Sequence, residues 1–342
     1  MEKLRFVEAK TPDMDRIAAL FEQCAEVNFW ANRGPLYQHL TEAYTDHVGL
    51  APEAAFVPCA NGGIALEVLA RIHAMRAGGR LRWAASAFSF ANIGRGYFAD
   101  VVLVDCDENG MLDVRELKAR ADEFDGIVVT NVFGCWADFS PWVEVAKATG
   151  KALIIDNAAG MSTRIPDWPW QSFSLHHTKP YGAGEGGLMV VPAEDADLAY
   201  GMIDYGAADG AMRTEWLNNG KISDISCAFL IDRLEQRDQW APNYVAAAEM
   251  VDEIARGAGY VPLIGRDLDR PAMSRAYIAP TSVGIEAVRA STHVSFGKYY
   301  QPLALLQRTE RLYDRLVNIP THPDMLALER GHLEADLGRL TG

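Results

Sequence analysis

One lysine stands out by the company it keeps. Lys179 sits in His176-His177-Thr178-Lys179-Pro180-Tyr181-Gly182-Ala183-Gly184-Glu185-Gly186-Gly187, after Phe173-Ser174-Leu175 and before Leu188-Met189-Val190-Val191. The flanking runs read as strands, and the four glycines mark a constrained connection between them. An amine held and partly desolvated in such a loop has a lowered pKa and can form a Schiff base.

Three readings compete for this lysine. The plainest is a surface lysine in a glycine turn. The second is a dinucleotide loop, because Gly182, Gly184 and Gly187 fit G-x-G-x-x-G. That motif needs a strand before it and a helix after it, and here an apolar β-branched run follows the glycines. The third is a lysine that carries pyridoxal 5'-phosphate (PLP). It requires a carboxylate for the pyridine nitrogen and a phosphate cup elsewhere in the chain.

The elements that must position these groups are legible. Val101-Val102-Leu103-Val104, Ile127-Val128-Val129-Thr130 and Ala152-Leu153-Ile154-Ile155 are short apolar runs, with helical stretches expected near 114–124 and 141–148. Such alternation predicts parallel strands buried on both faces, with ligands at their carboxyl ends. Asp156 falls at one of these ends, where it is either a helix N-cap or a carboxylate aimed at a site. Cys59-Ala60-Asn61-Gly62-Gly63 follows Phe56-Val57 and precedes Ile64-Ala65-Leu66. This reads as strand, turn and helix start, whose free N–H groups suit an anion. Ser86 to Asn92 reads as another turn into a helix. Ser223 or Asp224 is expected to cap a helix through Arg237, and 240–257 is helical again. The loop Asn28–Leu36 carries Phe29 and Trp30, either packed on the core or set at the rim of a site or a partner's surface.

Bulk properties set the bounds. The chain has 342 residues, is 49% hydrophobic and carries a formal net charge of −14. That supports one large domain with a smaller companion, and no dense basic run speaks for nucleic acid. Five widely spaced cysteines with no C-x-x-C pair argue against zinc or redox work, and no metal site is expected. With no membrane-length apolar run and no signal-like start, a soluble cytoplasmic protein is expected.

These pieces, in this order, resemble the DegT/StrS-type sugar aminotransferases. Ser174-Leu175-His176-His177-Thr178-Lys179 with Gly184-Glu185-Gly186-Gly187 is similar to that family's S-F-H-x-T-K…G-E-G-G block. Asn219-Gly220-Lys221-Ile222-Ser223-Asp224, Tyr300-Gln301-Pro302-Leu303 and Pro320-Thr321-His322-Pro323 are similar to its N-Y-R-M-S-E, Y-x-P-L and L-P-x-H-P. The resemblance implies the aspartate-aminotransferase fold (fold type I). That means an α/β, three-layer, mainly parallel sheet PLP domain over 1–237 and a smaller α+β C-terminal domain over 238–342.

The resemblance also implies roles. Lys179 matches the lysine that bonds to the cofactor, and Asp156 the carboxylate that keeps the pyridine nitrogen protonated. Ser174, Asn61 and Gly62 match phosphate-binding positions, and Phe90 the aromatic on the ring face, with Phe88 in reserve. Asn219 and Lys221 match residues that reach the neighbouring subunit's phosphate region, so a homodimer with a shared active site is expected. Two departures stand out: Gly63 replaces a hydroxyl residue, and Ala159 replaces a polar one. The implied reaction moves an amino group from an amino acid, glutamate in most of the family, to a nucleotide-linked keto sugar, by way of pyridoxamine 5'-phosphate. Its product would serve surface polysaccharide or secondary metabolite synthesis. The competing expectations are a non-sugar ketone and a PLP-binding protein without turnover. His176 and His177 are expected to pack beside the site.

Overall fold

The computed structural model describes residues 3–206, 219–265 and 268–341. Its strands are β1 (Ala54–Cys59), β2 (Trp83–Ser86), β3 (Val102–Val104), β4 (Gly126–Thr130), β5 (Ala152–Asp156), β6 (Gln171–Ser174), β7 (Gly187–Pro192), β8 (Val261–Pro262), β9 (Ser274–Ile278) and β10 (Leu316–Pro320). The helices are α1 (Met14–Val27), α2 (Pro35–Val48), α3 (Gly62–Ala77), α4 (Val114–Ala119), α5 (Ser140–Thr149), α6 (Ala196–Ile203), α7 (Asp224–Glu235), α8 (Arg237–Gly257), α9 (Ile285–Arg289), α10 (Gln307–Arg315) and α11 (Arg330–Thr341).

Strands β1 to β7 form one sheet in the order β1-β7-β6-β5-β4-β2-β3. β7 pairs antiparallel with both neighbours, and the remaining pairs are parallel. β7 therefore runs against the other six strands, and the connection from β6 into β7 turns at their carboxyl edge. Alternation along the strands explains their continuous apolar character. Val128 and Ile154 face one core with α1, α2, α3 and α7, whereas Ile127, Val129, Leu153 and Ile155 face another with α4 and α5. The result is the expected three-layer α/β unit. A second sheet, β10-β9-β8, is antiparallel and packs with α8, α9 and α11 in a third core.

Three local expectations need correcting. No helix follows Ser86–Asn92: the chain turns, with Gly94 and Gly96 at φ 81° and 54°, and forms only a 3-10 turn at Gly96–Phe98. The stretch 114–124 is not one helix, because α4 ends at Ala119 and a 3-10 turn takes Ala121–Glu123. The helix capped by Ser223, whose side chain accepts from Ser226 N–H, ends at Glu235, and Gln236 separates it from α8. No helix among the described residues is long and apolar enough to cross a membrane.

Candidate active site

A cavity of about 570 Å³ opens at the carboxyl edge of the large sheet. Strand register explains its floor. Thr130 ends β4 opposite Asp156, which ends β5 beside Ser172 of β6, while Ser174 at the end of β6 pairs with Gly187. Thr130, Asp156 and Ser174 all line the cavity, and Lys179 reaches it from the β6–β7 connection.

Asp156 is buried, and a turn rather than a helix follows it, so it is no N-cap. Its Oδ1 accepts weakly from Ala158 N–H at 3.3 Å and from the Ser172 hydroxyl at 3.4 Å. Desolvation pushes its carboxyl above the ordinary range, opposed by those bonds and by the charge of Lys179. Lys179 is the mirror image: desolvation lowers its amine and the Asp156 charge raises it. The two side chains are thus electrostatically coupled across one cavity. Asn157, by contrast, is buried behind the turn, accepting from Asn131 Nδ2 at 2.7 Å and donating to Gln171 Oε1 at 3.2 Å.

The anion cradle is the N-terminus of α3. Asn61 caps it, its Oδ1 accepting from Ile64 N–H at 2.9 Å. That leaves the first-turn N–H groups of Gly62 and Gly63 as the donors without an intrahelical partner. Asn61, Gly62, Gly63 and Ser174 share the cavity wall, so Gly63 joins the cradle through its backbone despite lacking a hydroxyl. Close approach explains the glycines. A Cβ on Gly62 would lie 3.0 Å from Ser174 Cβ, and one on Gly187 2.4 Å from the carbonyl carbon of Asn61.

Phe90 lines the cavity with 58% of its surface exposed, and Phe88 is fully buried against Phe133 and Tyr300. His176 faces the cavity, with Nδ1 2.9 Å from Thr178 Oγ1 and Nε2 3.5 Å from Glu185. Burial and nearby Lys10 hold His177 below the usual histidine range. Asn219 and Lys221 do not line this cavity. Asn219 bridges to Asp204, and Lys221 pairs with the Asp204 carboxylate and lies 4.7 Å over the Tyr205 ring.

Several cavity residues escaped sequence reasoning. Phe6 and Val7 come from the N-terminal segment, and Met273, Ser274 and Tyr299 from the neighbourhood of the smaller sheet. Tyr300, noted only as part of a motif, stacks on Phe133 at 4.8 Å. Thr130 had a usable signal, since it ends an apolar strand just as Asp156 does.

The donor set fits pyridoxal phosphate. A buried carboxylate with weak partners suits a ring N–H⁺, a desolvated lysine suits an aldehyde carbon, a helix N-terminus with Ser174 suits a phosphate, and an exposed ring at Phe90 suits a planar face.

This mainly parallel seven-stranded sheet with a small antiparallel companion is the fold of the fold type I aminotransferases, as likeness to their solved structures shows. The chain belongs to the DegT/DnrJ/EryC1/StrS aminotransferase family, whose model matches residues 13–330. It is similar to the sugar aminotransferase CalS13 from Micromonospora echinospora, with 18% identity, a TM-score of 0.79 and 99% of each chain covered. It is also similar to DesI, solved in the presence of its TDP-sugar product, with 20% identity, a TM-score of 0.80 and coverage of 96% of this chain and 90% of that one. Protein Rv3402c of Mycobacterium tuberculosis is 28% identical over 261 residues, 69% of this chain. The chain spans 61% of the length of the curated relatives it matches.

Proposed function

We propose that this protein is a PLP-dependent aminotransferase that transfers the amino group of an amino acid, glutamate in the first instance, to a keto sugar carried on a nucleotide. The observation that carries this reading is the coupling of Lys179 and Asp156 in one cavity above the α3 N-terminus. Membership of the aminotransferase family and the likeness to CalS13 and DesI support it.

Bound pyridoxal phosphate supplies an electron sink for the carbanion formed at the amino-bearing carbon. The chain's residues do the rest. The Asp156 carboxylate accepts from the ring N–H and keeps that nitrogen protonated. Gly62 and Gly63 N–H groups and the Ser174 hydroxyl hold the phosphate. Phe90 covers one ring face and excludes water from it. Lys179 would hold the cofactor's aldehyde carbon, and its Nζ, when free, would be the base that takes the proton from the donor's α-carbon and carries it onward. Water would supply the carbonyl oxygen of the 2-oxoglutarate released from glutamate, the ketone oxygen of the sugar would leave as water when that carbon receives the nitrogen, and the same amine would move the proton in the reverse direction.

A homodimer with a shared site belongs to the proposal. Asn219 and Lys221 lie outside their own chain's cavity, and Phe29 and Trp30 stay 44% and 37% exposed, as expected of a surface that a second copy covers.

The test is direct. Protein loaded with pyridoxal phosphate and reduced with borohydride should yield one labelled peptide, modified at Lys179. Glutamate with nucleotide-linked 3-keto and 4-keto sugars should then yield an amino sugar and 2-oxoglutarate. Labelling at another lysine, or cofactor binding without product from any keto sugar, overturns the reading.

A further inference from the structure

The loop that carries Lys179 is held from below by side chains outside it. Lys10 Nζ donates to the carbonyls of His177 at 2.8 Å and Gly182 at 2.5 Å, and to the carbonyl of Lys179 itself. Arg233 Nε donates to Pro180 O at 2.8 Å, and Tyr44 Oη to Tyr181 O at 3.3 Å. Five carbonyls between residues 177 and 182 are thereby engaged by three side chains distant in sequence.

The two cations are joined beneath the loop. Glu8 Oε2 accepts from Arg233 at 2.8 Å and from Tyr244 Oη at 2.7 Å, and lies 3.9 Å from Lys10 Nζ. The segment holding Glu8 and Lys10 is itself anchored along its length. Leu4 bridges to Val294, Arg5 O lies 3.1 Å from His322 Nε2, and Ala9 N–H donates to Asp324 at 2.8 Å. It also brings Phe6 and Val7 to the cavity wall, whereas Lys10 does not line the cavity.

From this geometry we infer that Lys10 is a positioning residue for Lys179. Its ammonium fixes the backbone of residues 177–182 and thereby sets the direction from which the Lys179 side chain enters the cavity. The inference rests on Lys179 being the lysine that bonds the cofactor. An ammonium suits this geometry, because three carbonyl oxygens gathered round one nitrogen match three N–H donors, and no planar guanidinium presents its donors as a tripod. Burial and the neighbouring Arg233 press the amine down to about 7, and Glu8 works against them. The complete clamp needs the protonated form, because a neutral amine has one donor fewer than the carbonyls facing it.

Lys10→Met keeps the length of the stem and removes the donors. Amide hydrogen exchange is measured on cofactor-free wild type and variant, in peptides covering 175–187 and in peptides from β4 and β5. The absorbance of the cofactor-loaded proteins is titrated with pH alongside. We expect exchange in 175–187 to quicken by about tenfold or more, with β4 and β5 unchanged. The pH midpoint of the chromophore should move as Lys179 is misdirected. Wild-type exchange across the loop refutes the clamp, and faster exchange throughout the sheet assigns Lys10 to general stability and equally overturns it. If Lys10→Met does not fold, Lys10→Gln makes the same comparison: exchange faster than wild type in the loop alone supports the inference, and wild-type exchange refutes it. Borohydride labelling of the wild type at a lysine other than Lys179 would instead sink the functional reading, while the exchange result on cofactor-free protein would still decide whether Lys10 holds the loop.

Discussion

Gly187→Ala tests how closely the phosphate cradle depends on the path of β7. The added Cβ would lie 2.4 Å from the carbonyl carbon of Asn61, 2.6 Å from its oxygen and 2.7 Å from Gly62 N. Comfortable contact between non-bonded carbons is about 3.5–4.0 Å, so β7 and the start of α3 must part by about 1 Å. All three obstructing atoms are backbone, and no flexible side chain can swing aside. Overpacking of this kind costs about 1–3 kcal/mol, a few degrees in Tm for a chain of this size. The larger effect should be on the ligand. The same displacement misdirects the N–H groups of Gly62 and Gly63, and a hydrogen bond to a charged group is worth about 1.5–3 kcal/mol. Pyridoxal phosphate should therefore bind roughly tenfold or more weakly. Absorbance titration of the cofactor-free variant, with thermal unfolding beside it, reads both quantities. Gly79→Ala is the control, since nothing lies within 4 Å of a Cβ there. If Gly187→Ala lowers Tm but binds the cofactor as the wild type does, the crossing of β7 beneath Asn61 does not set the cradle.

Two further outcomes are expected. Burial lowers the Lys179 amine and Asp156 raises it; Asp156→Asn removes the opposing charge, so the pH midpoint of Lys179 labelling by an amine reagent in cofactor-free protein should move down. Turnover should fall steeply in the same variant, and a midpoint that stays put or rises would refute the coupling. Asn61→Ala deletes the cap on Ile64 N–H and should cost about 1 kcal/mol in denaturant unfolding, with cofactor affinity reduced as the first turn of α3 frays; an unchanged unfolding midpoint would show that the cap carries no weight.

The sequence discloses this site unevenly, for physical reasons. Asp156 could be placed because an unbroken apolar strand fixes where its carboxyl end falls, and the parallel register then sets it beside Thr130 and Ser172. The next residue, Asn157, turns its amide away into a network with Asn131 and Gln171. The helix expected after Ser86–Asn92 fails where Gly94 and Gly96 adopt left-handed φ, a conformational freedom that local pattern does not reveal. Lys10 was invisible for a different reason. Its partners are carbonyl oxygens, which every residue possesses, so a clamp made of them leaves no trace in residue types. The contributions of Phe6, Met273 and Tyr299 were hidden likewise, because they depend on how separate parts of the chain are brought together.

Helix α8 bears on how the cavity can open. It is 21 residues long, so about 30 Å from end to end. Trp240, Ala241 and Tyr244 are embedded in the core of the large sheet, and Ala247, Val251, Ile254 and Ala255 in that of the small one. A single rod thus has one end in each core, and the cavity draws on residues near both, floored by Asp156 and Lys179 and walled by Tyr299 and Tyr300. The rod is not uniform, because Pro242 near its N-terminal end has no N–H to donate to the preceding turn and leaves the hydrogen-bond ladder open there. Any change in the spacing of the two cores must therefore be taken up within this one helix, and Pro242, set among its residues in the first core, is the joint at which it would bend.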